Sequence, residues 1–263
     1  MITHFSQLQL TTVSLPGVRQ FYHDLLHFPV IAQTDTEIRF QPAPHLTLSF
    51  REALEPLRPA HLAFEVPYSQ FDHVIDRIQR SHIPLLAWPD GRTVDDFGGR
   101  KNVYFRDGDG HLLEIITHSY ITEGILQPSG ELNILYLREV GLPVESVVQF
   151  RETLVRLFSL KLDRLEDDFT FAIGGTAHFV IVSKQRRWIP IAMAALPPSL
   201  QVTLGISRLE CMETVMNNLK SEGISYDFQE DQLYFTLNGF DFCLKITDFD
   251  DGIPKLLNLP LSR

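Results

Sequence analysis

Two short runs carry the residues that could do chemistry. The first is Asn102-Val-Tyr-Phe-Arg-Asp-Gly-Asp-Gly-His-Leu-Leu-Glu-Ile-Ile116, and the second is Ala60-His-Leu-Ala-Phe-Glu-Val66. In the first, a lone carboxylate, Glu114, stands among Leu112, Leu113, Ile115 and Ile116. Such a group is costly to bury unless it meets a proton or a positive partner. His61 opens the second apolar strand in the same manner. Two metal-competent side chains set in hydrophobic strands point to a metal centre. The plain alternative is a buried His–Glu hydrogen-bonded pair. Asp107-Gly-Asp-Gly110 lacks the remaining ligands of a calcium loop and reads as a tight turn. His111, His118 and Tyr120 read as rim or surface residues.

The elements that must position these residues recur along the chain. Gln7 to Val13 alternates, with Leu8, Leu10 and Thr12 on one face and Gln7, Gln9 and Thr11 on the other, which is strand periodicity. Pro16 opens a helix with an apolar stripe of Val18, Phe21, Tyr22, Leu25 and Leu26, and strands follow near 28–32, 36–41 and 45–50. From Ala60 the order repeats: strand 61–66, a stripe of Phe71, Val74, Ile75 and Ile78, then strands near 83–88, 100–105 and 111–117. A third unit starts near Leu132, with a helix from Val144 to Phe158 and strands near 168–173 and 176–183. A fourth starts near Gln201, with a helix at 208–222 and strands at 224–228, 232–237 and 241–247. The apolar positions of Val215–Ile224 mirror those of Val74–Ile83. The fold class is α+β, four βαβββ units arranged as two tandem domains of two successive units each. The domains are 1–120 and 131–250, with a tail at 251–263.

Composition narrows the function. The chain has 263 residues, 44% of them hydrophobic, enough for two ordinary cores of roughly 100–150 residues each. No segment approaches the ~20 apolar residues of a membrane span, and the N-terminus carries no basic-then-apolar signal pattern. A formal net charge of −10 with no basic stripe argues against nucleic acid. Lys184 to Arg187 reads as a solvated loop. Cys211 and Cys243 read as buried free thiols in a reducing cytoplasm.

With these residues in view, the sequence resembles the vicinal oxygen chelate superfamily, which holds glyoxalase I, extradiol dioxygenases and drug-resistance proteins. The resemblance covers residues 1–120, through Leu8-Gln-Leu, Phe21-Tyr22, Leu25-Leu26, His61-Leu-Ala-Phe and Tyr104 to Glu114. Residues 131–250 match in rhythm only. The resemblance implies a bacterial metalloenzyme whose paired units enclose one divalent ion: zinc, nickel, manganese or ferrous iron. Its ligands fall on Gln7, His61 and Glu114, with His4 the fallback for Gln7; a fourth position falls near Leu48, which cannot bind. Gln9, Thr11 and Glu65 are expected to face the same cavity, and Arg100 to meet an anionic substrate. Glu114 is also the candidate catalytic residue. In the second half the matching positions are about Asn133, Gln201 and Lys245, so no metal is expected there. The resemblance implies lyase or isomerase chemistry on a small molecule with vicinal oxygens. The alternatives are extradiol ring cleavage with ferrous iron and a metal-free drug-sequestering protein. Either a monomer or a homodimer satisfies the pattern.

Overall fold

Each predicted unit forms. The computed structural model describes residues 1–261; residues 262 and 263 of the predicted tail lie outside the described residues. Unit one holds β1 (Ile2–Thr12), α1 (Leu15–Val18) continued by a π-helical segment over Arg19–Leu25, β2 (Val30–Gln33), β3 (Glu37–Ala43) and β4 (Leu46–Glu52). Unit two holds β5 (His61–Glu65), α2 (Phe71–Arg80), β6 (Val94–Asp96), β7 (Arg100–Arg106) and β8 (Leu112–His118). Unit three holds β9 (Tyr136–Val144), α3 (Val147–Phe158), β10 (Lys161–Asp163), β11 (Phe169–Gly174) and β12 (Ala177–Ser183). A small ribbon, β13 (Arg187–Trp188) with β14 (Met193–Ala194), leads to unit four. That unit holds β15 (Leu200–Ile206), α4 (Leu209–Ser221), β16 (Tyr226–Gln229), β17 (Gln232–Leu237) and β18 (Phe240–Ile246), and α5 (Ile253–Leu256) follows it.

The local reasons are those the pattern suggests. Phe71, Val74, Ile75 and Ile78 bury one stripe of α2, and each such side chain contributes roughly 1.5–3 kcal/mol when fully buried. Ser146 caps α3, its Oγ accepting from the Gln149 amide at 3.3 Å. β5 and β8 are buried at every position and pair in parallel, which is why both read as nearly continuous apolar runs. The expected strand at 83–88 does not form. Pro84 lies within the run and Pro89 follows it, and neither can donate to a ladder; Leu86 makes one backbone bond to Tyr104, and the more polar Val94–Asp96 supplies the edge strand.

The partner choice differs from the expected one. One sheet runs β16-β17-β18-β15-β1-β4-β3-β2 and the other β10-β11-β12-β9-β5-β8-β7-β6. Unit one therefore pairs with unit four, through antiparallel β1 and β15, and unit two with unit three, through antiparallel β5 and β9. Each sheet takes one unit from 1–120 and one from 131–250. The physical reason lies at the open edge of the first strand of each unit. β5 is covered by β8 on one side only, and β9, the next strand in the chain, takes the other side. The intervening segment is held down by Ile121, Leu135 and Tyr136 packing on Leu257 and Leu259 of the C-terminal segment.

Candidate functional site

The pairing of units two and three sets one row of side chains across five strands. In register these are Tyr104 on β7, Glu114 on β8, Ala63 on β5, Glu139 on β9 and His178 on β12. Ala63 has no bulk to offer, so the two carboxylates flank an open position, and His61 stands two residues away on the same face of β5. The His61 Nε2 lies 3.5 Å from Glu114 Oε2 and 3.8 Å from Glu139 Oε2. Ligand atoms of the three residues fall within 4.8 Å of one another, and all three residues are buried.

Gly141 makes room for this arrangement. A Cβ there would come within 2.7 Å of the Trp188 ring and 3.0 Å of the His61 Cβ. The Trp188 ring in turn packs on the His61 imidazole, with centroids 4.9 Å apart.

Electrostatics separate the two carboxylates. Burial, and then the neighbouring Glu139 charge, push the Glu114 carboxyl well above the usual range. Burial also opposes ionisation of Glu139, yet the nearby His61 imidazole and the Arg138 charge outweigh it, and its carboxyl titrates low. Burial and the adjacent Arg138 drive the His178 imidazole well below its ordinary value, so it is neutral.

This donor set fits a divalent cation. Zinc-type bonds of about 2.1 Å put neighbouring donor atoms roughly 3.0–3.4 Å apart, and the His61 Nε2 lies 3.5 and 3.8 Å from the two carboxylates. Two buried carboxylates side by side would both be ionised only with such a charge between them. One imidazole and two carboxylates suit a borderline or hard ion.

A second layer lies behind. Arg138 Nη1 donates to Glu65 Oε2 at 3.0 Å, Nη2 donates to the Tyr120 hydroxyl at 2.7 Å, and Nε lies 3.8 Å from Glu139 Oε1. His118 Nδ1 lies 3.0 Å from Glu65 Oε2. Beyond the carboxylates opens a cavity of about 150 Å³, walled by Tyr104, Phe169, Phe171, Val180, Val182 and Trp188, with Arg100, Arg164, Arg186 and Arg187 also lining it.

The structure brings His61, Glu114 and Arg100 to this site. Gln7, Gln9 and Thr11 lie instead on β1 of the other sheet, because unit one pairs with unit four. There Gln7 donates to Ser49 Oγ at 3.3 Å, Gln9 sits beside Gln201 and Arg51, and Thr11 pairs with Arg51 across the ladder. His4 is buried in that sheet too, stacked on Phe249. Glu65 has the expected facing on β5, but it is sealed from solvent and held by Arg138 and His118 rather than lining the cavity. His111 and His118 are buried rather than at the rim, and Tyr120 is half-buried. Cys243 is buried and Cys211 half-buried, both as free thiols.

Glu139 was the residue the sequence reading missed. Unit three was anchored on Asn133, in the turn before β9, whereas the matching opening residue is six positions on. Its signal was available: Arg138 and Glu139 are charges inside an apolar strand, the pattern that singled out Glu114. Lys184 to Arg187 is likewise more than a solvated loop, since Arg186 and Arg187 line the cavity. Val180 sits opposite Gly141 as Glu114 sits opposite Ala63, so the fourth symmetric position is apolar. Asp107, Asp109 and His111 also cluster. Asp107 is used within the turn, accepting from the Tyr22 hydroxyl at 2.7 Å and the His111 amide at 2.8 Å.

No protein-family profile matches the chain. Its structure is similar to that of a candidate dioxygenase from Bacillus subtilis subsp. subtilis str. 168, with TM-score 0.68 and 14% identity, over 99% of this chain and 91% of that one. It is also similar to glyoxalase I from Zea mays, with TM-score 0.59 and 13% identity, over 92% of this chain and 91% of that one. Both similarities run over nearly the whole chain and concern the four-unit fold.

Proposed function

We propose that the chain is a divalent-metal-dependent enzyme whose ion is held by His61, Glu114 and Glu139. The reading favours lyase or isomerase chemistry on a small molecule with adjacent oxygens. The observation that carries it is the row Glu114–Ala63–Glu139 with His61 beside it, three ligand types converging on a gap left by a small residue. The ion would supply Lewis-acid polarisation of the substrate oxygens. The chain's own residues supply the rest. Glu114, beside Tyr104 across the ladder, is the carboxylate placed to move a proton at the substrate. Arg138 aims Glu139, and Trp188 and Phe171 exclude water from the reacting side.

One imidazole with two carboxylates departs from the two-imidazole, one-carboxylate set usual for ferrous oxygenases, so zinc, nickel or manganese is preferred to iron. Ring cleavage with ferrous iron is the second reading, favoured by the aromatic wall. Because units two and three belong to one chain, a monomer completes the site. No helix among the described residues is long and apolar enough to cross a membrane, and with two unpaired cysteines we assign the protein to the cytoplasm. The test is Ala63→Leu, which keeps all three ligands and fills the gap between them. Calorimetric titration with manganese should show one site in the wild type and none in this variant; equal uptake by both would overturn the assignment.

A further inference from the structure

Arg138 makes its contacts through one rigid plane. Nη1 donates to Glu65 Oε2 at 3.0 Å and to the Tyr136 hydroxyl at 3.4 Å, while Nη2 donates to the Tyr120 hydroxyl at 2.7 Å. The third nitrogen, Nε, lies 3.8 Å from Glu139 Oε1 and has no hydrogen-bond partner among the described residues. A guanidinium is a planar fork, so pinning both Nη atoms fixes where Nε points. Glu65 pins one of them from β5. Tyr120 pins the other from the turn that follows β8.

That turn is anchored from beyond unit four. Asn258 Nδ2 donates to the Tyr120 carbonyl at 3.0 Å, and the Thr122 amide donates to the Leu257 carbonyl at 3.1 Å. Ile121 packs in one cluster with Leu257 and Leu259. These anchoring residues follow α5, whereas the candidate ligands all belong to units two and three. Asn258 holds a left-handed backbone, φ 61°, which asparagine adopts readily after a helix. The Tyr120 ring is steadied on its other side by the His118 ring, with centroids 4.9 Å apart. Packing alone does not call for the hydroxyl, which phenylalanine would spare. The short bond to Nη2 is what the tyrosine adds.

We propose that Tyr120 is a positioning residue for the metal centre and that residues 257–259 are the brace that sets it. Asn258 fixes the Tyr120 backbone, the Tyr120 hydroxyl fixes the Arg138 plane, and Arg138 Nε holds Glu139 toward the gap beside Ala63. The role rests on the metal-centre reading above. It makes the ion's affinity depend on a segment that supplies none of its ligands.

Calorimetric titration with manganese, paired with urea denaturation of each sample, tests this. Tyr120→Phe removes one oxygen and should weaken manganese binding about three- to tenfold, short of the roughly 10–100-fold lost with groups bonded directly to a ligand. Asn258→Gly keeps the left-handed backbone, deletes the amide and should weaken binding about two- to fivefold. Arg138→Lys keeps the charge and loses the fork; adding Tyr120→Phe to it should cost no further affinity, because the hydroxyl acts through the guanidinium. Unchanged affinity in Tyr120→Phe or in Asn258→Gly, whatever the urea midpoint, would overturn the proposal. So would a Tyr120→Phe loss repeated in full beside Arg138→Lys. A wild-type protein that binds no manganese would instead sink the metal-centre reading, and the brace with it.

Discussion

Removing the Arg138 guanidinium should be among the most damaging single changes in this protein, and the damage should be recoverable. Arg138 and Glu65 are both buried and 3.0 Å apart, on the antiparallel strands that join units two and three. At that separation and an effective dielectric near 20, their attraction is about 5 kcal/mol. Arg138→Met keeps the apolar stem and strands the Glu65 carboxylate, so the loss should be roughly 3–5 kcal/mol. Adding Glu65→Gln removes the stranded charge, and the double variant should regain at least 1–2 kcal/mol relative to Arg138→Met alone. The penalty should also depend on pH. Burial, reinforced by the Arg138 charge, holds the His118 imidazole below its ordinary value, against the pull of Glu65. Without Arg138 that imidazole titrates higher and pairs with Glu65 when protonated. A base whose folded pKa is raised stabilises below its unfolded value near 6.5, so the penalty should be smaller at pH 5.5 than at pH 8. Urea denaturation followed by tryptophan fluorescence at both pH values measures all of this. A cost for Arg138→Met below 1 kcal/mol, or a double variant as unstable as the sum of the singles, would refute the reasoning.

Two further outcomes follow from single residues. Gly141→Ala places a methyl against Trp188 and His61; it should cost about 1–3 kcal/mol by overpacking and shift the Trp188 emission, both read in one urea titration. Acid should weaken the fold through His4, whose pKa burial, and then His45, lower to about 3. The unfolded chain takes up this proton below about 6.5 while the folded chain does not until near 3, so stability falls as pH drops through that window. The loss from His4 is about 2 kcal/mol by pH 5, and His4→Gln should flatten this part of the pH–stability curve.

The unit plan was legible because it rests on local periods. The stripe of Phe71, Val74, Ile75 and Ile78 and its echo in α4 need no long-range information, and neither does the strand–turn–strand around Asp107-Gly-Asp-Gly110. Partner choice among four similar units is a long-range matter. The alternation of β1 shows which face is apolar and says nothing of whether β15 or β5 lies alongside it. That gap displaced Gln7, Gln9 and Thr11 from the site, although His61 and Glu114, which share one unit, were placed together. Glu139 escaped because the start of β9 was anchored by rhythm six residues early, and Arg138 beside it breaks the alternation that would have marked the strand. The apolar run at 83–88 had strand composition, yet two prolines kept it off the ladder.

The central claim is that one ion is held between units two and three, by Glu139 together with His61 and Glu114, and not by Gln7. Elemental analysis of protein purified without chelator or metal-affinity resin tests this directly when run on wild type, Gln7→Ala and Glu139→Gln together. The account predicts close to one equivalent of a divalent metal in wild type and in Gln7→Ala, and almost none in Glu139→Gln. Metal lost from Gln7→Ala but kept by Glu139→Gln, or absent from all three, would contradict it.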